Sequence, residues 1–118
     1  MIQPTSTRVY VFLGSTDMRK SYNTLSALAT NAGFDPTSGD LFVFTNRSRN
    51  RFKVLLWEGG GYWLCCKRLE IGVFAIPAIE DKETQHTIKI NFTELRLLIE
   101  GIELRQIKTT KRFAKKSA

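Results

Sequence analysis

The sequence predicts an α+β fold in one small domain, with an antiparallel β-meander packed against a helix, a C-terminal helix and a basic tail. A chain of 118 residues has room for one compact domain. Its apolar content of 42% is sufficient for a buried core. Runs of β-branched and aromatic residues also alternate with turn residues. We therefore expect a single globular domain over residues 1–107 and a flexible basic tail over residues 108–118.

The N-terminal part of the sequence predicts a strand followed by a helix. Residues 9–13 are β-branched, aromatic or apolar, and the run ends at Gly14. Thr16 or Asp17 then offers a side-chain oxygen that can cap a helix. The predicted helix ends at Asn31-Ala32-Gly33. Its apolar residues recur at helical spacing: Met18, Tyr22, Leu25 and Ala29.

Three more strands are predicted after a turn at Asp35-Pro36. They cover residues 41–45, 51–58 and 62–69 and are joined by the loops NRSRN and GGG. Suppose that all three glycines form one hairpin loop and residues 46–50 form the other. Trp57 then pairs with Trp63, and Lys53 pairs with Lys67. This register predicts one core face covered by the first helix. Its members are Phe42, Phe44, Phe52, Val54, Leu56, Leu64 and Cys66.

The opposite face of the predicted meander is amphipathic. It carries Arg51, Lys53, Trp57, Trp63 and Lys67 among Leu41, Val43, Leu55 and Leu69. Two lysines directly across an antiparallel pair repel each other, so this register implies a nearby anion. A phosphate would serve, and so would the carboxylate of Asp17 or Glu70.

The C-terminal part predicts a polar loop, a short strand and a second helix. The loop follows Pro77, and the strand covers residues 87–90. Asn91 or Thr93 caps the helix, and Gly101 ends it. The apolar residues of this helix are Leu95, Leu98 and Ile99.

Charge and cysteine content narrow the function classes. The formal net charge of +7 favours polyanionic partners. Cys65 and Cys66 are adjacent, which predicts neither a disulfide between them nor a zinc site, and they fit a reducing cytoplasm. No apolar run approaches the roughly 20 residues of a membrane span, so we expect no membrane partner.

The sequence contains no recognisable catalytic or cofactor-binding signature. Its single histidine, His86, falls in a predicted surface loop, and the carboxylates form no paired or metal-binding pattern. The GGG segment lacks the Lys and Ser or Thr of a phosphate-binding P-loop. We therefore predict that the protein is not an enzyme and uses no cofactor or metal.

Basic and aromatic residues of the meander are the candidate nucleic-acid contacts. Guanidinium groups at a hairpin tip can reach phosphates, and cations near a helix N-terminus can add to them. The candidate phosphate-binding residues are Arg19, Lys20, Arg47, Arg49, Arg51, Lys53, Lys67 and Arg68. Alternatively, Arg19 pairs with Asp17 or another acid and fixes the turn between the first strand and the first helix. The candidates for stacking on bases or docking on a partner are Trp57, Tyr62 and Trp63.

Four blocks of sequence together carry a resemblance to a known family. They are TDMRK at residues 16–20, DPTSG at 35–39, LFVFTNR at 41–47 and KRLE at 67–70. Their combination resembles the TnpB-type accessory protein of the bacterial insertion-sequence family sixty-six, a small protein encoded next to the transposase. This family is distinct from the RNA-guided nucleases that share the name TnpB.

The resemblance implies a role in mobilising an insertion sequence alongside the transposase and another small element-encoded protein. We expect an accessory protein that binds the phosphates of element-end DNA through its basic hairpin surface. The alternative is a protein-protein adaptor that docks on the transposase without touching DNA. The sequence leaves the oligomeric state open.

Overall fold

The structure is a computed structural model that describes residues 7–74 and 87–101. Within these ranges it forms a small α+β domain of five strands and two helices, which confirms the predicted fold class. In chain order the elements are β1 (Val9–Ser15), α1 (Tyr22–Asn31), β2 (Leu41–Thr45), β3 (Arg51–Glu58), β4 (Gly61–Arg68), β5 (Thr87–Ile90) and α2 (Phe92–Glu100). The predicted basic tail, the polar loop from residue 78 onwards and His86 lie outside the described residues.

The strands form one mixed sheet in the order β4-β3-β2-β1-β5. Strands β2, β3 and β4 pair antiparallel in succession, and β5 pairs antiparallel with β1. Strand β1, however, runs parallel to β2, so the five-stranded sheet is mixed and extends beyond the three antiparallel strands that the sequence predicted. The parallel pair arises because α1 carries the chain from the end of β1 back to the start of β2.

Both faces of the sheet are core, whereas the sequence predicted one. On one face, Leu25 and Ala29 of α1 pack on Phe42, Phe44 and Leu55. On the other, residues of α2 pack on the alternate side chains of the same strands. The buried members of this second cluster are Val9, Val11, Leu41, Val43, Phe52, Val54, Leu56, Phe74, Ile90, Leu95 and Leu98.

The GGG hairpin has a shorter turn than predicted, and this shifts the register by one residue. Gly59 and Gly60 adopt φ angles of 61° and 85°, the pair of positive values that a two-residue type I′ turn requires. Gly61 already belongs to β4 and pairs with Glu58. Trp57 therefore pairs with Tyr62. A shift of one residue moves a side chain to the other face of the sheet.

The NRSRN hairpin departs from the predicted register in the same way. The N–H of Asn46 donates to the carbonyl of Arg51 at 3.1 Å, so the ladder extends one residue into the predicted loop. The side chain of Asn46 closes the loop by accepting from the N–H groups of Asn50 and Arg51, each at 3.0 Å. As a result Phe44 pairs with Lys53 and not with Phe52.

The predicted cap is confirmed for α2 and is wrong for α1. Helix α2 begins at the predicted Asn91, which forms a capping box with Glu94, and ends at Gly101 as expected. Helix α1 begins later than predicted, with Ser21 at the N-cap, because residues 16–20 form a separate turn. Neither helix has the length and apolar sequence needed to cross a membrane.

Candidate nucleic-acid interface

All eight candidate cations gather at one end of the sheet. Parallel β1 and β2 both finish there, β3 starts there and β4 finishes there. This end therefore carries the turn of residues 16–20, the loop of residues 46–50, and the directly opposed Arg51 and Arg68. We call it the basic end.

The turn after β1 is held by an ion pair between Asp17 and Arg19. The Arg19 guanidinium donates to both carboxylate oxygens of Asp17, with the shortest contact at 2.7 Å, and the Arg19 N–H donates at 2.9 Å. These bonds hold the pKa of Asp17 well below its usual range and raise the pKa of Arg19. The predicted pairing of Arg19 with Asp17 is thus confirmed, and the Arg19 side chain remains 91% exposed.

The three arginines of the NRSRNR segment have different environments. The Arg49 guanidinium turns inward and donates to the Thr45 hydroxyl and, at 2.9 Å, to the Leu13 carbonyl. Leu13 lies where the register of β1 and β2 shifts. The Arg49 guanidinium therefore donates to a carbonyl at an irregular point of the strand pairing. The guanidinium groups of Arg47 and Arg51 are exposed and form no hydrogen bond or ion pair with the described residues.

A shallow groove of about 530 Å³ lies at the basic end between β3, β4 and the turn after β1. Its lining combines four basic residues with one carboxylate: Met18, Arg51, Phe52, Lys53, Cys66, Lys67, Arg68 and Glu70. Glu70 accepts a hydrogen bond from Arg68 Nε at 2.8 Å. Both partners are well exposed, so water screens the pair strongly.

Lys53 and Lys67 lie on opposite faces of the sheet, which corrects their predicted pairing. Lys53 pairs with Cys66 and donates to the carbonyl of Lys20 at 2.6 Å. Lys67 donates at 2.8 Å to the carbonyl of Ile99, where a cation also complements the C-terminal end of α2. Backbone carbonyls, and not Asp17 or Glu70, therefore receive the two ammonium groups. Of the groove cations, Arg51, Lys53 and Arg68 share the α1 face.

The candidate aromatic residues lie at the opposite end of the β3–β4 hairpin, which we call the aromatic end. Trp57 and Tyr62 meet edge to face on the α1 side, with ring centroids 4.9 Å apart. Trp63 points to the other side, is 51% exposed and donates to Glu58 at 3.2 Å. Arg68 lies six positions after Tyr62, about 20 Å along a strand. The predicted face holding both tryptophans beside the lysines is therefore wrong.

Two features of the site did not follow from the sequence reasoning. Cys66 was predicted to be core but is exposed in the groove, because the register places it beyond the area that α1 covers. The Arg68–Glu70 pair could have been anticipated, since residues two apart on a strand share a face. Within the described ranges, no group of three His, Cys, Asp or Glu side chains could hold a metal ion.

The fold and groove define a small α+β protein with a basic surface at one end of a mixed sheet. The chain belongs to the IS66 Orf2-like family, whose model, described as IS66 Orf2 like protein, matches residues 7–109. This match confirms the resemblance to the TnpB-type accessory proteins. The family is associated with transposition in an accessory role and is not a known catalytic family.

Two relatives from Sinorhizobium fredii (strain NBRC 101917 / NGR234) are similar over most of their length. The uncharacterized protein y4jC is 33% identical over 102 residues, covering 86% of this chain and 84% of the relative. The uncharacterized protein y4hO is 35% identical over 109 residues, covering 92% and 91% respectively. No solved structure gives a significant match.

Proposed function

We propose that this protein is a non-catalytic accessory factor of insertion-sequence transposition that binds DNA phosphates at its basic end. The observation that carries the proposal is the groove at that end, where Arg51, Lys53 and Arg68 share one face of the hairpin. In this role the protein helps to assemble the transposase with the element ends in the bacterial cytoplasm.

The basic side chains differ in how free they are to bind a phosphate, because some already have a partner within the protein. Arg51 has no partner among the described residues, and Arg68 has only the exposed Glu70. Arg47 and Lys20 lie at the rim with exposed side chains. Arg49 is committed to Thr45 and Leu13, so we assign it to the fold. Lys67 is directed to α2 on the other face.

The proposal is tested by fluorescence anisotropy of labelled DNA over a salt series. The double variant Arg51→Gln, Arg68→Gln removes two groove charges. A double variant Lys89→Gln, Arg96→Gln removes the same charge from exposed positions on β5 and α2. If both arginines contact phosphates, the groove variant lowers the slope of log affinity against log salt by about two. The control variant keeps the original slope.

Comparison of DNAs sharpens the result. Element-end duplex, unrelated duplex and single strands are titrated with the same samples. Equal losses in the groove and control variants would show attraction by net charge and overturn the assignment to the groove. A folded wild-type protein that binds no DNA at low salt would overturn direct DNA binding altogether.

The exposure of Trp63 favours a second candidate function, an adaptor that docks on the transposase. A half-exposed tryptophan is a typical anchor of a protein interface. In this case Trp63→Ala reduces capture of the purified transposase, while Arg51→Gln does not. The two functions use opposite ends of the hairpin, so the two variants separate them.

A further inference from the structure

Among the described strands, β4 is paired along one side. It lies at the edge of the sheet, and no strand in the described part of the chain pairs with its outer side. Its eight residues include no proline, and Trp63 and residues 65–68 are exposed. A long edge strand with free N–H and C=O groups is a template for pairing with another chain.

The pairing with β3 determines which backbone groups of β4 point outward. The N–H of Leu69 donates to the carbonyl of Asn50 at 2.7 Å, so odd-numbered residues of this segment bond to β3. Residues along an antiparallel strand alternate between the two sides. The outward N–H and C=O groups therefore belong to Tyr62, Leu64, Cys66 and Arg68. Only registers that match these residues with one another can form a new antiparallel ladder.

We propose that β4 pairs antiparallel with β4 of a second copy of this chain, around a two-fold axis at Cys65. In this register, two kinds of residue pair exchange hydrogen bonds across the interface: Leu64 with Cys66, and Tyr62 with Arg68. Cys65 lies opposite Cys65, and Trp63 lies opposite Lys67. The two sheets then form one continuous sheet.

Charge complementarity selects the second copy as the partner and Cys65 as the centre. The cationic residues of β4 lie at its C-terminal end and its aromatic residues at its N-terminal end. Antiparallel self-pairing keeps like charges apart and places each cation beside an aromatic ring, whose face attracts it. A ladder centred on Leu64 would instead place Lys67 and Arg68 opposite Gly61 and Gly60. The basic end of each chain thereby meets the aromatic end of the other.

Cysteine cross-linking tests the register. Opposed residues at a site without hydrogen bonds have Cα atoms about 4.5 Å apart, within the range of a disulfide. The two Cys66 residues are diagonal neighbours about 7–8 Å apart, beyond that range. Copper-phenanthroline with dissolved oxygen serves as the oxidant. As two thiols form one S–S bond, they give up two electrons to oxygen and release two protons. We expect a covalent dimer from Cys66→Ser, and at least about tenfold less from Cys65→Ser.

Proline substitution tests the edge itself. Cys66→Pro removes an outward N–H, so it blocks a new strand while the bonds from β4 to β3 are retained. Sedimentation of the full chain should show a dimer for the wild type and Cys66→Ser. The Cys66→Pro variant should be monomeric, with a dissociation constant raised at least about tenfold. Circular dichroism tests whether the variant is folded.

A second variant keeps the test decisive if Cys66→Pro does not fold. Lys67→Glu combined with Arg68→Glu reverses the charges that face the aromatic residues and should also weaken the dimer. A wild-type monomer at all concentrations, a folded Cys66→Pro dimer, or equal cross-linking through both cysteines would overturn the proposal. None of these measurements requires DNA, so they stand apart from the test of phosphate binding.

Discussion

Strands β2 and β4 belong to one sheet and are separated only by β3, yet they meet solvent in opposite ways. All five residues of β2 are buried, with α1 on one face, the α2 cluster on the other and a strand on each side. Strand β4 has a neighbour on one side, and five of its eight residues are exposed. The helices cover the middle of the sheet, so the edge retains the side chains that are free to bind.

The comparison separates stability from function along the sheet. A side chain with no exposed surface has no access to a partner molecule, and truncating an apolar one leaves a cavity. An exposed residue on an edge strand can be changed with little effect on folding. Substitutions in β2 should therefore destabilise the protein, while substitutions in β4 should change what it binds.

The largest effect is expected from Phe44→Ala in β2. Phe44 is fully buried, and its ring lies 4.6 Å from that of Phe12. Removing such a ring typically costs about 3–5 kcal/mol of unfolding free energy. Trp63→Ala in β4 is the matched control, since it removes an aromatic ring of similar or larger size from a half-exposed position.

Chemical denaturation followed by circular dichroism measures both variants. We expect Trp63→Ala to cost clearly less than Phe44→Ala, because half of its side chain is already in water. Equal losses would show that β4 is as much a part of the core as β2, and the comparison would fail.

A smaller effect is expected from Arg49→Gln, which tests whether a charged residue of the basic end supports the fold. The substitution removes the guanidinium donors to Thr45 and to the carbonyl of Leu13. Hydrogen bonds that involve charged groups contribute about 1.5–3 kcal/mol. Arg47→Gln removes the same charge from an exposed side chain and should change stability by no more than about 0.5 kcal/mol.

The denaturation midpoints of the two variants give the answer. A stable Arg49→Gln protein that binds DNA more weakly would reverse our assignment of Arg49 from the fold to the interface. An unstable Arg47→Gln protein would show that the loop is held by contacts other than those of Asn46 and Arg49.

The sequence predicted the elements of this fold more accurately than their faces. Strands β2, β3 and β5 and the caps of α2 follow directly from β-branched runs, turn residues and Asn91. The register depended on how many glycines the GGG turn uses. Periodicity does not show how many residues a turn uses, and one residue of difference in each hairpin exchanged the faces of β3 relative to β2 and β4.

The site was likewise predictable in its residue types but not in its grouping. A basic hairpin was evident from the sequence, and its cations do lie at one end of the sheet. The separation of cations from aromatic residues depends on strand direction. The inward turn of Arg49 depends on the irregular pairing near Leu13, which is a contact between distant parts of the chain.

The smallest effect is expected from Glu70→Gln, which tests whether DNA binds in the groove beside β4. The Glu70 carboxylate accepts a hydrogen bond from Arg68 Nε at 2.8 Å and adds a negative charge to the groove. Its removal frees Arg68 for a phosphate. An exposed pair is worth at most about 1 kcal/mol, so DNA affinity should rise by about two- to fivefold while stability stays the same.

Asp35→Asn is the control for that prediction, because it removes the same charge at the other end of β2. An amide oxygen there can still accept the hydrogen bonds from Thr37, so the turn is preserved. Strand β2 is about 17 Å long, which exceeds the electrostatic screening length of about 10 Å in 0.1 M salt. The charge at Asp35 should therefore have little effect on DNA bound in the groove. Anisotropy titrations at that salt should show a rise for Glu70→Gln alone. An equal rise for both variants would mean that DNA responds to the net charge of the protein and not to the groove beside β4.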